Sequence, residues 1–291
     1  MELPQPEPAA DEVLIQVAYA GVNPVDWKVR EGYLKERMPS RFPLILGWDV
    51  AGRIVTVGSN VSPQRVGELV FAYARKPVAQ WGTYAEFVAC EAAHVVPAPK
   101  SLSLRDAAAI PIATLTAWQS IVEWGHVGEG QRVLIHAGAG GVGGMAIQLA
   151  HHFGAHVTTT ASERHHAYVK QLGADVAIDY TKAKVTETFD LVFDTVGGKV
   201  FEAAWEQVRS GGKLVSILEQ PDPQRAKSQG IYAQYVNVHP DGGQLLQIAQ
   251  LLDSGALKAP EVREFPLEQA VEALEIQRQG HTQGKLVIKV S

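Results

Sequence analysis

The residues whose types and spacing most suggest chemistry are three glycines, Gly138, Gly140 and Gly143, which fit the pattern G-x-G-x-x-G. They follow the apolar run "RVLIHA" and lead into "MAIQLA", a good helix former. In such a strand-to-helix turn, glycines permit a tight bend, leave bare backbone for an anion, and let the helix pack closely on the strand. Amide groups at the helix start then face the anion. The context predicts a dinucleotide pyrophosphate site formed by Gly138, Gly140, Gly141, Val142 and Gly143; the glycines alone would also fit a plain turn.

The residues that follow the second strand of this unit indicate which dinucleotide fits. A carboxylate about 20 residues beyond the glycines is typical of NAD sites, because it binds the ribose 2′-hydroxyl. This sequence reads "VTTTASERHH" there, with Ser162 at the strand tip in place of an acid. Arg164 and His165 follow as candidate partners of a 2′-phosphate, and a charge-assisted bond of that kind contributes about 1.5–3 kcal/mol. We therefore predict NADPH, with Glu163 as the residue that favours NADH, since its carboxylate would repel the phosphate.

Two sequence patterns must position these groups. Up to about Lys100 the chain has short β-type runs separated by Gly, Pro and Asn, which predicts an all-β unit. From Arg132 onward strand-like and helix-like runs alternate, which predicts a parallel sheet covered by helices on both faces. Between the two patterns, Ser103 and Asp106 have the spacing of a helix N-cap and its third-position partner. The predicted helices of the second pattern cover residues 145–153, 164–172, 200–208 and 244–252, with glycines 154, 173 and 211 at three helix ends.

Composition excludes several classes of function. The formal net charge of −5, without a basic run, argues against a nucleic-acid partner. Cys90 is the only cysteine in the chain of 291 residues, so no internal disulfide or thiolate cluster for a metal can form. No apolar run reaches the roughly 18 residues of a membrane span, and the N-terminus is acidic and Pro-rich rather than a targeting signal. We expect a soluble, cytoplasmic protein that does not bind membranes.

A series of motifs resembles the medium-chain dehydrogenase/reductase superfamily, in its zinc-free quinone and enone reductase branch, over nearly the whole chain. The motifs are, in chain order, "GVNPVDWKVREG", "GWDVAGRIVTVGSNV", "AAAIPIATLTAW", "GAGGVG", "LGADVAIDY", "FDTVGG" and "GKLVIKV". The resemblance implies an α/β protein in which a GroES-like β-barrel catalytic domain, residues 1–105 and 255–291, is interrupted by a Rossmann domain with a doubly wound parallel sheet, residues 106–254. It implies an active site in the cleft between the domains. Relatives usually have a β-hairpin before the segment that opens this chain.

The resemblance also implies that no metal is bound. Zinc-dependent relatives have a Cys, a His and a second Cys where this chain has Asn23, Trp48 and Ala113, and these side chains do not supply the thiolate and imidazole ligands of a catalytic zinc. The chemistry that remains is hydride delivery to an acceptor already activated by conjugation.

The family implies the site residues. Its substrate and nicotinamide contacts lie in "NPVDWK", which gives Asn23 as an oxyanion donor, Lys28 as a contact of the cofactor or of a carbonyl, and Asp26 as a charge that holds Lys28. Further cofactor contacts carried over from the family are Tyr180, Thr195, Val196, Gly197, Leu218, Gly284 and Lys285.

The function expected from these residues is NADPH-dependent, zinc-independent reduction of quinones or of the C=C bond of α,β-unsaturated carbonyl compounds. One alternative is a carbonyl or enoyl-thioester reductase. Another is a non-catalytic NADPH-binding redox sensor, assembly factor or structural protein. The family further implies a homodimer, joined through an edge strand within Ile231–Val238.

Overall fold

The computed structural model describes residues 2–280 and 282–291. The chain forms two compact units, the first from Met1–Leu115 with His239–Ser291, the second from Thr116–Val238. In the first unit the strands are β1 (Glu12–Val22), β2 (Ser40–Ile45), β3 (Asp49–Val57), β4 (Leu69–Tyr73), β5 (Ala79–Trp81), β6 (Phe87–Glu91) and β7 (Val95–Pro97), with α1 (Pro24–Arg30) and α2 (Leu104–Ala107). The helix α3 (Pro111–Trp118) contains the first boundary between the units.

The second unit follows, and the chain then returns to the first. The second unit contains β8 (Arg132–Ile135), α4 (Gly141–His152), β9 (His156–Thr160), α5 (His166–Gln171), β10 (Val176–Ile178), β11 (Phe189–Asp194), α6 (Lys199–Ala204), β12 (Val208–Ser216), α7 (Pro223–Gln229) and β13 (Tyr232–Tyr235). The returning segment contains α8 (Gly242–Asp253), β14 (Val262–Pro266), α9 (Ala270–Gln279) and β15 (Lys285–Lys289).

A seven-stranded sheet forms the frame of the first unit. Its order is β14-β15-β1-β3-β4-β7, with β6 also paired to β1, and all pairs except β14–β15 are antiparallel. Alternate residues of β1, Val13, Ile15 and Val17, are fully buried and share one face of the strand, and Leu14 on the other face is buried as well. They form the core with residues of β3, β4 and β15, so the unit is built on strands as predicted, with the helix α1 inserted after β1.

Strand register in this sheet positions the polar residues discussed below. The C-terminal strand β15 pairs with β1 so that Leu286 lies opposite Val22, which brings Lys285 beside the start of α1. On the other side of β1, Asp49 lies opposite Gly21. A Cβ on Gly21 would lie only 2.3 Å from the Ala108 carbonyl oxygen, so this crossing needs glycine.

The second unit is a six-stranded sheet in which every strand pair is parallel. Its order is β10-β9-β8-β11-β12-β13, so the chain runs outward from the centre in one direction and then in the other. The strand order reverses between β8 and β11, and in open parallel sheets ligands bind at the carboxyl ends of the strands at such a point. The predicted parallel sheet of alternating strands and helices is confirmed.

The bounds of the two compact units differ from the expected domains, residues 1–105, 106–254 and 255–291, because two segments pack on the seven-stranded sheet rather than on the parallel one. The Ile112 N–H donates to Asp49 of β3, and α8 packs against β7. A Cβ on Gly242, at the start of α8, would lie 2.1 Å from the Ala93 carbonyl oxygen, and Asp253 at its end accepts from the Ser101 N–H. The helix predicted over 244–252 therefore exists but belongs to the first unit.

Three local predictions need correction. The helix predicted from residue 145 begins at Gly141, within the glycine loop itself. The helix predicted over 200–208 ends at Ala204, and after one tight turn Val208 already begins β12. Gly211, predicted at a helix end, instead lies inside β12 with a φ of +74°.

The expected homodimer strand, β13, is an edge of the parallel sheet, and its Tyr232 is exposed. A homodimer paired through this strand remains a prediction; the mass of the protein in solution would test whether a dimer forms. In the described residues, none of the helices has the length and apolar character that crossing a bilayer requires.

Candidate functional site

The glycine loop between β8 and α4 has a packed side and an open side. A Cβ on Gly138 would lie 2.1 Å from the Thr159 hydroxyl oxygen, and one on Gly143 would lie 2.4 Å from the Ala137 carbonyl oxygen. A Cβ on Gly140 would meet nothing closer than 3.4 Å. The outer glycines are therefore fixed by protein packing, whereas the middle one leaves space that a ligand could approach.

The start of α4 fits an anion at that open side. Gly140 is the N-cap of this twelve-residue helix, and no side chain caps it. Gly141 and Val142 form the first turn with Gly143, where helices leave amide groups without an intrahelical acceptor. These amides and the helix dipole favour a negatively charged group. The loop therefore fits the diphosphate of a dinucleotide.

The turn after β9 carries the predicted 2′-phosphate residues. Ser162 precedes a single helical turn, Glu163–His165. Arg164 is exposed, and its Nε lies 3.0 Å from the ring Nε2 of His165. Tyr180, just after β10, is also exposed. Because β9 and β10 are parallel neighbours, these groups leave the sheet at the same edge as the glycine loop.

At the ends of β11 and β12 the predicted contacts lie together. The Val196 and Gly197 N–H groups both donate to the buried Asp194 carboxylate at 3.0 Å, and the Thr195 hydroxyl donates to the His136 carbonyl. A Cβ on Gly197 would lie 3.4 Å from the Leu218 Cβ. The side chains of Val196 and Leu218 are exposed, so they are surface groups rather than core.

Asp194 and His136 were not predicted from the sequence. Burial opposes ionisation of Asp194, but the His136 ring, the Gly197 and Val196 N–H groups and the Ser216 hydroxyl together hold its pKa below the usual value. The His136 ring bonds Gln207 through Nε2, and its Nδ1 lies 3.8 Å from Asp194 without a hydrogen bond. Asp194 ends β11 and His136 directly follows β8, at the point where the strand order reverses, and this position was the available signal.

In the first unit, Asn23 is the centre of a buried polar cluster. Its Nδ2 donates to Asp49 Oδ2 at 2.8 Å, and its Oδ1 accepts from the Lys285 ammonium. Lys285 also donates to the Val22 carbonyl at 2.9 Å. The Asn23 amide proposed as an oxyanion donor is thus already bonded to Asp49. Lys285, assigned from the family to the cofactor, points into this cluster, and Gly284 before it makes the turn with a φ of +68°.

Asp26, the third residue of α1, lies in the same cluster. Its carboxylate accepts from the Asn23 N–H at 2.7 Å and from the Tyr84 hydroxyl at 2.9 Å. Burial raises the pKa of Asp26 to about 7 and that of Asp49 to about 6, against hydrogen bonds and the Lys285 charge. Burial also lowers the pKa of Lys285. The cluster holds two carboxyl groups and one ammonium, so Asp26 takes up a proton near neutral pH.

Lys28 is outside this cluster. Its Nζ lies 5.7 Å from the centre of the Trp27 ring, and burial alone, among the described groups, lowers its pKa. The charge contact expected between Asp26 and Lys28 does not form, because the Asp26 carboxylate is buried and accepts hydrogen bonds from the Asn23 N–H and the Tyr84 hydroxyl. Lys28 is a half-buried cation that no carboxylate of the described chain neutralises.

Three positions named for zinc ligands in related enzymes carry other side chains here. Asn23, Trp48 and Ala113 are all buried. In the part of the chain that the structure describes, no group of three or more His, Cys, Asp or Glu side chains is arranged to hold a metal ion.

Comparisons with known proteins match both units. An alcohol dehydrogenase GroES-like domain matches residues 9–100, and a zinc-binding dehydrogenase family matches residues 172–288. The chain is 36% identical over 295 residues to a 2-methylene-furan-3-one reductase of Solanum lycopersicum, covering 97% of this chain and 73% of the relative. It is 35% identical, with the same coverage, to a chloroplastic NADPH-dependent alkenal/one oxidoreductase of Arabidopsis thaliana. The solved quinone oxidoreductase of Coxiella burnetii matches with a TM-score of 0.88 and 35% identity, covering 99% of this chain and 93% of that one.

The packing of the loop predicts unequal effects of alanine at its glycines. Gly143→Ala should lower the free energy of unfolding by about 2 kcal/mol or more, since the new methyl group would collide with the Ala137 carbonyl. Gly140→Ala, the matched control, should cost less than about 1 kcal/mol. Urea denaturation of both variants measures the difference; equal losses would contradict the packing described for the loop.

The buried carboxyl groups predict how stability depends on pH. The pKa of Asp26 is raised in the folded state to about 7, so the folded protein retains a proton there that the unfolded chain loses near pH 4. This contribution to stability is complete below pH 4 and is lost as the pH rises through 7. Asp26→Asn should therefore flatten the fall of the unfolding free energy between about pH 4 and 7. Urea titrations at several pH values measure the unfolding free energy of both proteins, and parallel pH dependences would refute the raised pKa of Asp26.

Proposed function

Because the chain belongs to the medium-chain dehydrogenase/reductase superfamily, among its quinone and alkenal oxidoreductases, we propose that it is an NADPH-dependent reductase of quinones or of the C=C bond of α,β-unsaturated carbonyl compounds. The observation that carries the proposal is the glycine loop, with packed outer glycines and an open, uncapped helix start at Gly140. The relatives named as alkenal/one and furanone reductases and the solved quinone oxidoreductase supply the class of acceptor.

The residues of the second unit bind the coenzyme in this proposal. The amides of Gly141, Val142 and Gly143 bind the diphosphate, and Ser162 and Arg164 bind the 2′-phosphate. The turn that Asp194 orders presents Val196 and Gly197 at the switch point, beside Leu218. When bound, NADPH supplies a hydride from its nicotinamide ring.

Lys28 is the residue that we assign to the acceptor. Negative charge develops on the carbonyl or quinone oxygen during reduction, and a preorganised donor stabilises it. The Lys28 ammonium is half-buried and has no carboxylate partner among the described residues, so its charge is available to such an oxygen. Asp26 and Asn23 are positioning residues here, since their polar atoms hold the start of α1.

The reaction is proposed to need no zinc. A catalytic zinc requires thiolate, imidazole or carboxylate ligands, and the amide of Asn23, the indole of Trp48 and the methyl group of Ala113 offer none. Conjugated acceptors suit such a site, because conjugation already activates them toward hydride and no metal is needed to polarise the carbonyl group.

Steady-state oxidation of NADPH with a panel of quinones and 2-alkenals tests the proposal. Turnover should occur after dialysis against a chelator, and Lys28→Met should lower kcat/KM tenfold or more while the Kd for NADPH stays within about twofold. Lys28→Arg is the matched control and should retain part of the rate. Tight NADPH binding without turnover on the whole panel would instead identify a non-catalytic nucleotide-binding protein.

Coenzyme preference provides a separate prediction. Arg164→Ala should lose most of the preference for NADPH over NADH, about tenfold, because a charge-assisted phosphate bond disappears. Calorimetric titration of both coenzymes measures the ratio, with His156→Ala, an exposed position at the opposite end of β9, as the control. A ratio unchanged in Arg164→Ala would refute its assignment to the phosphate.

A further inference from the structure

Two turns leave the parallel sheet side by side next to the glycine loop. Ile178, the last residue of β10, lies opposite Thr160, the last residue of β9, and the Ala161 N–H donates to the Ile178 carbonyl at 3.0 Å. The Gly138 N–H donates to the Thr160 carbonyl, also at 3.0 Å. The turn after β10 therefore adjoins the turn that carries Ser162, Glu163 and Arg164.

The turn after β10 directs a lysine back toward Glu163. The Asp179 carboxylate accepts from the Thr181 N–H at 2.9 Å and from its hydroxyl at 2.7 Å, and the Lys182 N–H donates to the Asp179 carbonyl at 3.0 Å. These bonds fix the course of the backbone through residues 179–182. The Lys182 ammonium then forms an ion pair with the Glu163 carboxylate. Its Nζ also lies 4.0 Å from Asp179 Oδ2.

This ion pair is exposed and therefore easily exchanged. The side chains of Lys182 and Glu163 are 63% and 70% exposed. Solvent-exposed ion pairs of this kind contribute about 0–1 kcal/mol to stability. A phosphate monoester carries a charge of about −1.5 to −2 at neutral pH and offers three oxygen acceptors. An ammonium close to such a group gains more from it than from a single exposed carboxylate.

We propose that Lys182 is a specificity-determining residue: its ammonium breaks the ion pair with Glu163 and binds the 2′-phosphate of NADPH. The inference rests on the proposed function, because it assigns a further residue to the same coenzyme site. It explains how an acid at position 163 is compatible with NADPH: Lys182 neutralises the carboxylate that would repel the phosphate and then supplies a second cation beside Arg164. With NADH no phosphate is present, the pair stays closed, and Lys182 adds nothing.

Binding measurements with matched ligands test this role without relying on turnover. The probes are NADPH against NADH, and adenosine 2′,5′-bisphosphate against AMP, each titrated by calorimetry. Lys182→Gln should weaken NADPH and the bisphosphate about tenfold and change NADH and AMP by less than twofold. Lys184→Gln, which removes an exposed charge two residues away, is the control and should leave all four constants unchanged.

The Glu163→Gln background separates direct contact from neutralisation. Glu163→Gln alone should strengthen NADPH several-fold, and adding Lys182→Gln to it should still weaken NADPH about tenfold. If the effect of Lys182→Gln vanishes in that background, the lysine only neutralises Glu163 and the proposed contact is wrong. No effect of Lys182→Gln in the native background, or equal weakening of NADPH and NADH, would also overturn it.

Failure of the proposed function gives a different result. If the native protein binds none of the four probes, the coenzyme site itself is refuted. If it binds NADPH tightly and Lys182→Gln binds it equally well, only the role of Lys182 fails. Thermal unfolding of the variants should match that of the native protein, because the exposed pair contributes little to stability.

Discussion

The close contact between the glycine loop and the end of β9 is the constraint on which the coenzyme site depends. Gly138 donates to the Thr160 carbonyl, and its missing side chain leaves room for Thr159. At Gly143 the Ala137 carbonyl oxygen occupies the space that a side chain would need, so the first turn of α4 packs directly against the loop. With both outer positions filled by protein, the remaining space lies at Gly140, next to the helix start. Sterics between backbone and strand thus determine where an anion can approach.

Parallel pairing extends this constraint to the rest of the edge. Since β8, β9 and β10 end level with one another, the loop and the turns that follow the other two strands lie together. On the other side of the reversal in strand order, β11 and β12 end at Asp194 and Ser216, which pair with each other, and Leu218 follows two residues after β12. Asp194 is buried and holds its turn through two backbone amides, so the exposed Val196 rests on a fixed backbone. The site is therefore organised by strand ends, and the exposed Val196 belongs to a turn whose backbone is held by hydrogen bonds to Asp194.

The sequence predicted this frame well and the buried charges poorly. The glycine motif, the alternation of strands and helices and the apolar pattern of β1 are local signals, and the structure has each of the predicted units. The start of α7 also carries a local signal, with Asp222 as N-cap before Pro223. The inward position of Lys285 had no such signal: it follows from the pairing of β15 with β1, between segments more than 260 residues apart. The same holds for Lys182 and Glu163, whose contact depends on two turns being adjacent.

Burial explains why three lysines near these residues differ in what they can do. Lys285 is fully enclosed and bonded to Val22 and Asn23, so its charge is used in holding the N-terminal and C-terminal segments together. Lys182 is exposed, and because water screens its ion pair with Glu163, it can change partners at low cost. Lys28 lies between these limits: burial lowers its pKa, and no carboxylate of the described chain compensates its charge. A half-desolvated cation of this kind interacts more strongly with a new negative charge than one in water does. The environment of each ammonium, rather than the residue type, is therefore the basis on which we propose Lys182 for coenzyme selection and Lys28 for the acceptor, whereas the hydrogen bonds of Lys285 join segments of the fold.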